Sequence, residues 1–130
     1  MDMHEHHEKL IVEITKEYSD ILKISKQGIY IYLDDVHKVC NTKLAKMLGY
    51  ESVDEWAAVT EDPVGVMVTE KSQKTLIDAF RNAQDNSVGS EIEVVWNKKT
   101  GGEVKTKVIL VPISFQGHFF ALHFVTPINK

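Results

Sequence analysis

The last third of the chain constrains the fold most strongly, because it carries three consecutive stretches with strand character. Apolar and polar side chains alternate in residues 91–97 and 103–113, whereas residues 119–125 are apolar on both faces. A period of two residues is typical of β-strands, and short polar loops such as 98–102 and 116–117 join antiparallel neighbours. This region therefore predicts an antiparallel sheet whose last strand is covered on both sides.

A second pair of short strands is predicted nearer the start of the chain. Residues 29–33 are rich in Ile and Tyr, residues 34–35 supply an acidic turn, and residues 38–40 continue as a strand. A short helix over residues 43–48 follows at once. Gly49 suits the position just after a helix end, where left-handed dihedral angles are common. A hairpin is thus expected to lead directly into a two-turn helix.

Three further segments have helical spacing or a helical cap. Residues 8–24 place apolar side chains three or four positions apart, residues 52–59 start with a Ser cap, and residues 69–85 carry an apolar stripe. Residues 61–65, which contain a proline and a glycine, are interpreted as a loop. Helices and strands are segregated along the chain, and this order predicts an α+β fold with a mostly antiparallel sheet.

Composition argues against several classes of protein. The chain has 130 residues, of which 43% are hydrophobic and 26% charged, as in one compact domain. The net charge of −4 gives no support for binding nucleic acid, and no apolar run approaches the roughly 18 residues of a membrane span. Cys40 is the only cysteine, so no internal disulfide can form. Because the N-terminus has no signal pattern, we expect a cytoplasmic protein, or a soluble piece of a larger one.

The order of these elements, together with the residues that separate them, resembles the PAS domain. In that family, a strand–turn–strand unit leads through an Asn into a short helix that ends in Gly-Tyr or Gly-Phe. A Lys-Lys-x-Gly hairpin later precedes a Pro-Ile pair and a last strand. The resemblance covers about residues 26–128. The matching residues are Gly28, Ile29, Asp34, Asn41, Ala45, Leu48, Gly49 and Tyr50, followed by Lys98, Lys99, Thr100 and Gly101, and by Val111, Pro112 and Ile113.

The resemblance implies both a fold and a function. The fold would be a PAS-like α+β domain over residues 26–130, with a five-stranded antiparallel sheet and helices on one face. An N-terminal amphipathic helix over residues 1–25 would precede it. PAS domains are sensory and interaction modules. The chain is therefore expected to act in signal transduction without catalysis of its own. It would either bind a small ligand or mediate protein–protein interaction, with a signalling protein or through dimerisation.

The family binds its ligands between the helices and one face of the sheet. By resemblance, a small and at least partly apolar ligand would lie there, although the same side chains could fill a ligand-free core. The rival hypothesis is a small α+β enzyme with an apolar pocket and one buried ionisable residue, either His123 or Asp78. The expected pocket residues are Ile31, Leu48, Trp56, Met67, Phe80, Trp96, Leu110, Phe120 and Leu122.

PAS domains often dimerise through an N-terminal helix that lies on the other face of the sheet. The helix over residues 8–24 has a narrow apolar seam, which would pack either on its own domain or against a second copy. The spacing alone leaves both alternatives open, and we predict a homodimer in which this helix contributes to the interface. The interface expected for a homodimer consists of Ile11, Ile14, Tyr18, Ile21, Ile109 and Val111.

Neither haem nor flavin is expected, and no metal site is predicted. Haem-binding relatives often use a histidine on the long helix, and residues 69–85 contain none. Flavin photoreceptors use a helical cysteine, whereas Cys40 lies on a predicted strand and is interpreted as a packing residue. His4, His6 and His7 could bind a divalent metal, but a solvated terminus is the preferred interpretation.

Overall fold

The chain folds around one five-stranded sheet. The computed structural model describes residues 3–128, with side chains from residue 5 onwards. The strands are β1 Gly28–Tyr32, β2 Lys38–Cys40, β3 Ser90–Asn97, β4 Glu103–Phe115 and β5 His118–Pro127. They lie in the order β2-β1-β5-β4-β3, and each neighbouring pair is antiparallel. The predicted α+β fold with a five-stranded antiparallel sheet is confirmed.

Within residues 3–128, helices cover both faces of this sheet. The first two helices pack on the face that we call the outer face, and the other four pack on the inner face. The helices are α1 Met3–Glu17, α2 Ser19–Ile24, α3 Thr42–Met47, α4 Val53–Ala57, α5 Pro63–Met67 and α6 Glu70–Asn86.

The N-terminal helix extends before the periodic stretch of residues 8–24 and is interrupted once. Tyr18, with φ −103° and ψ 17°, separates α1 from α2. Backbone hydrogen bonds nevertheless continue across the interruption, from Tyr18 N to Ile14 O and from Leu22 N to Tyr18 O, both at 3.0 Å. The apolar seam therefore continues from α1 into α2.

The short helix α5 corrects the interpretation of residues 61–65 as a loop. Asp62 caps the helix by accepting a hydrogen bond from Gly65 N, and Pro63 occupies the first turn. Proline is favoured at that position because the first N–H groups of a helix have no partner within the helix. A proline and a glycine together predict a loop, but here the proline lies in the first turn of a helix.

Asn41 fixes the junction between the β1–β2 hairpin and α3. Its Oδ1 accepts hydrogen bonds from the backbone N–H groups of Leu44 and Ile29, each at 3.0 Å. Its Nδ2 donates to the carbonyl of Gln27, also at 3.0 Å. One buried amide thus caps the helix and holds it against β1.

The apolar seam of α1 is buried on the outer face of its own sheet. Ile14 is fully buried, and Leu10 and Ile11 are 1% and 8% exposed. Two of the residues expected at a homodimer interface, Ile11 and Ile14, therefore pack inside their own domain, because the outer face offers them an apolar surface within the same chain. The outer core comprises Leu10, Ile11, Ile14, Ile29, Ile31, Phe120 and Leu122.

The other residues expected at that interface lie at the margin of the outer core. Tyr18, Ile21 and Val111 are partly buried against it. Ile109 is 39% exposed. Of the six predicted interface residues, Ile109 is the most exposed.

Replacing Ile14 by Ala should lower the free energy of unfolding by about 2–5 kcal/mol, the usual cost of emptying a packed aliphatic site. The matched control is Val12→Ala on the same helix, where the side chain is 50% exposed. The control should change stability by no more than about 0.5 kcal/mol. Urea unfolding at low micromolar protein concentration measures both. Equal effects would mean that α1 does not pack on the sheet as described.

Candidate functional site

A cavity of about 210 Å³ lies between the inner face of the sheet and the helices α4, α5 and α6. It is bounded by strands at its base and by helix side chains around its rim. Its walls are predominantly apolar and aromatic, as is usual for small-molecule sites. The lining residues are Tyr30, Tyr32, Lys38, Trp56, Pro63, Val64, Met67, Val68, Leu76, Ile77, Phe80, Arg81, Gln84, Trp96 and His123.

The base of the cavity is built from rings on adjacent strands. Tyr30 on β1 is paired with His123 on β5, and their rings are stacked with centroids 3.8 Å apart and planes 8° apart. Trp56 from α4 and Trp96 from β3 contact the Tyr30 ring at centroid distances of 5.6 and 6.0 Å. These rings form a rigid wall, because each is buried and held by its neighbours.

The two tryptophans differ in how their indole N–H groups are satisfied. Trp96 Nε1 donates to Thr106 Oγ1 at 2.8 Å, and that hydroxyl donates to the carbonyl of Val94 at 2.8 Å. Within the part of the chain that the structure describes, Trp56 Nε1 has no hydrogen-bond partner although it is buried. Nδ1 of His123 is also buried without a well-formed hydrogen bond among the described residues, although the His123 ring interacts with the backbone of Tyr30 and Ala121. Both atoms are packed behind the cavity wall, where an unsatisfied polar group is costly.

Lys38 contributes a buried cation to the wall, but its ammonium group is already committed. It donates to the carbonyls of Asp35, Ala57 and Val59 at 2.8, 3.0 and 2.6 Å. Its Nζ also lies 5.4 Å from the centroid of the Trp56 ring. Burial lowers the pKa of Lys38. Since an ammonium has three N–H donors, this lysine holds the end of α4 and the chain after it rather than anchoring a ligand.

The opening of the cavity is more polar than its base. Arg81 and Gln84, both exposed residues of α6, lie at its rim. Phe80, one position before Arg81, packs edge-on against Tyr32 and Phe119 at centroid distances of 5.3 and 5.5 Å. A ligand in this cavity would therefore contact aromatic rings at the base and a guanidinium group at the opening.

The structure brings together four of the nine predicted pocket residues. Trp56, Met67, Phe80 and Trp96 line the cavity. Leu48 and Leu110 are fully buried in the inner cores but do not line it.

The remaining three, Ile31, Phe120 and Leu122, face the opposite way and belong to the outer core. The correction has a simple cause. β1 and β5 are apolar on both faces, so their pattern does not reveal which alternate residues face inwards. Their neighbours Tyr30 and His123 take the inward positions instead, and both were missing from the predicted pocket.

Neither Cys40 nor Asp78 lies in an environment that favours a chemical role. Cys40 is buried, and burial raises the pKa of its thiol to about 12, so it stays protonated and packs as expected. Asp78, considered for the rival enzyme, is exposed on α6 and forms an ion pair with Lys74 at 2.6 Å. Asp78 is therefore not the buried ionisable residue that the enzyme hypothesis requires.

His123 is the buried ionisable residue of the cavity. Burial lowers the pKa of its ring to about 3, so the ring is neutral near pH 7. In the unfolded chain, a histidine has a pKa of about 6.5. Below that pH the unfolded state binds a proton that the folded state excludes, so acid destabilises the fold until the folded ring itself titrates.

Replacing His123 by Phe keeps a ring against Tyr30 and should remove this acid sensitivity. Between about pH 6 and pH 4, the unfolding free energy of the wild type should fall relative to the variant by about 1.4 kcal/mol per pH unit. Chemical unfolding at a series of pH values measures the difference. His118→Gln, at the β4–β5 hairpin, is the control and should track the wild type. Parallel curves for wild type and His123→Phe would contradict a buried neutral ring.

Comparison of the sequence with models of protein families and with curated proteins finds no match. No helix within residues 3–128 is long and apolar enough to span a membrane.

Comparison of the fold with solved structures finds many similar chains. A PAS domain from Colwellia psychrerythraea has a TM-score of 0.69 at 18% identity, over 90% of this chain and 98% of the other. A PAS domain from a two-component sensor histidine kinase has a TM-score of 0.67 at 13% identity, over 90% and 99%. VqmA from Vibrio cholerae, solved as a dimer without its target DNA, has a TM-score of 0.66 at 12% identity, over 88% and 52%. The chain therefore has the fold of the PAS domain.

Proposed function

We propose that this chain is a sensory module of the PAS type that binds one small aromatic or largely apolar molecule in the cavity beneath α4, α5 and α6. The observation that carries the proposal is the cavity itself, which has a volume of about 210 Å³, apolar and aromatic walls and an opening beside Arg81 and Gln84. A close-packed core would leave no space of this size. The similar fold of a sensor histidine kinase domain supports a role in signalling.

The cavity limits the chemistry of the ligand. Its volume of about 210 Å³ lies below the range of drug-sized pockets, so the ligand is of the size of one or two fused rings. The base of the cavity is aromatic, so the ligand is largely apolar at its buried end. Arg81 at the rim suits a polar or anionic group at the exposed end.

We propose that the module has no catalysis of its own. No carboxylate, hydroxyl of Ser or Thr, or thiol belongs to the residues that line the cavity in the described part of the chain. His123 satisfies one condition of the rival enzyme hypothesis, since it is ionisable and its pKa is strongly shifted inside a cavity. A ring that stays neutral down to about pH 3 is, however, a poor proton acceptor near pH 7.

The ligand proposal is tested by filling the cavity from one wall. Val64→Phe places a ring in the space that Val64 lines, whereas Val66→Phe adds the same ring at an exposed position of the same helix. A panel of small mono- and bicyclic aromatic compounds is screened by ligand-observed NMR, and native mass spectrometry records any retained molecule. Binding should be lost in Val64→Phe and kept in Val66→Phe. Binding to neither wild type nor control, or equal binding to all three proteins, would refute the proposal.

We also propose that two copies of the chain associate through the outer side of β4. Ile109 is 39% exposed there, and it is paired across the sheet with the partly buried Phe124. On its other side Ile109 is paired with the exposed Glu91, so Ile109 lies at the border of the apolar outer core. A second copy of the same surface would bury the Ile109 side chains of both copies about a twofold axis.

Sedimentation velocity at about 100 μM tests the association, since even weak dimers with micromolar dissociation constants are populated at that concentration. The wild type should sediment as a dimer and Ile109→Asp as a monomer. Val88→Asp is the matched control, because Val88 is 44% exposed in the turn before β3. It should remain dimeric. A monomeric wild type would refute the proposal, and a dimeric Ile109→Asp would place the interface elsewhere.

A further inference from the structure

Three segments that are distant in sequence bring histidines and one carboxylate to the same end of the sheet. His7 comes from α1, Asp34 and His37 come from the turn between β1 and β2, and His118 starts β5. The ring centroids of His7 and His37 are 5.5 Å apart, and those of His7 and His118 are 5.9 Å apart. The cluster lies outside the cavity and has no part in the ligand proposal.

Asp34 lies at the centre of this cluster, and its two oxygens are used differently. Oδ1 accepts from the backbone N–H groups of Val36 and His37 at 3.0 and 2.7 Å, and from the ring of His37 at 2.7 Å. Oδ2 lies 2.9 Å from Nδ1 of His7. Partial burial opposes ionisation, but the hydrogen bonds from His7 and His37 outweigh it and lower the pKa of the carboxyl.

We propose that His7, Asp34 and His37 form a binding site for a divalent transition-metal ion of the zinc type, which joins α1 to the β1–β2 turn. One ligand atom from each residue lies within 4.8 Å of the other two. Ligand atoms at about 2.0–2.2 Å around a tetrahedral zinc ion are about 3.3–3.6 Å apart. Side-chain rotations that move the ligand atoms by about an ångström would therefore complete the site.

The type of donor decides which ions fit. Two imidazoles and one carboxylate suit Zn²⁺, Co²⁺, Ni²⁺ or Cu²⁺, whereas Mg²⁺ and Ca²⁺ prefer sets made only of oxygens. The turn amides that hold Asp34 Oδ1 orient the carboxylate, the role that groups around metal ligands commonly have. His7 is 19% exposed, His37 5% and Asp34 38%, so the cluster is ordered by burial and still open to solvent on one side.

Isothermal titration of Zn²⁺ into the full chain, in a buffer without chelators, tests the proposal. The wild type should bind one ion, and Asp34→Asn and His37→Gln should each weaken the affinity at least about tenfold, the scale on which metal sites respond to loss of a supporting group. Asparagine keeps an oxygen acceptor for the turn amides, so Asp34→Asn should fold. Circular dichroism checks this for each variant. Titration of Co²⁺ adds an independent readout, since a visible absorption band reports the ligands around the ion.

Asp35→Asn is the matched control, because it removes the same charge from the same turn without touching a proposed ligand. It should bind Zn²⁺ within about twofold of the wild type. An equal loss in Asp34→Asn and Asp35→Asn would reduce the effect to general charge attraction and overturn the proposal. Full binding in both Asp34→Asn and His37→Gln, with loss in His6→Gln, would place the ion on the N-terminal histidine run alone and would also overturn it.

Discussion

The strand β5 must be covered on both faces, and most of the structure follows from this requirement. Phe120 and Leu122 point to the outer face and His123 and Val125 to the inner one, and all four are buried. A fully buried large apolar side chain contributes about 1.5–3 kcal/mol, so neither face can be left to solvent. The helix α1 supplies the outer cover from within the chain. The inner cover comes from short helices and α6, which close over the sheet but leave a cavity.

Two polar side chains decide where that inner cover lies. Asn41 holds the start of α3 against β1 with three hydrogen bonds, and Lys38 holds the end of α4 with bonds to the carbonyls of Ala57 and Val59. Both residues are less than 7% exposed. Lys38 begins β2 and Asn41 directly follows it, so the hairpin fixes the positions of α3 and α4. The position of Trp56 against Tyr30 follows from these hydrogen bonds. The shape of the cavity follows from it in turn.

The sequence predicts the fold well, because each strand pair is marked by alternation or by turn residues and Asn41 marks the start of α3. It predicts the cavity less well, for physical reasons that particular residues make clear. In β1 and β5 both faces are apolar, so nothing in the pattern distinguishes Ile31 from Tyr30 as the inward residue. Trp56 and Trp96 look equivalent in sequence. Only the three-dimensional position of Thr106 distinguishes them: it satisfies the Trp96 indole, whereas the Trp56 indole has no partner among the described residues.

The cavity and the surface on which α1 packs lie on opposite faces of the same two strands, β1 and β5. Tyr30 lines the cavity while Ile29 and Ile31, its neighbours in β1, belong to the outer core under α1. The same relation holds in β5 between His123 and Leu122. A change in the twist of these two strands would therefore alter the packing on both faces at once, because close-packed cores transmit small shifts rather than absorb them. Substitutions in helices at the rim of the cavity, such as α5, therefore probe ligand binding more cleanly than substitutions in β1 or β5. Substitutions in those two strands also disturb the surface on which α1 packs.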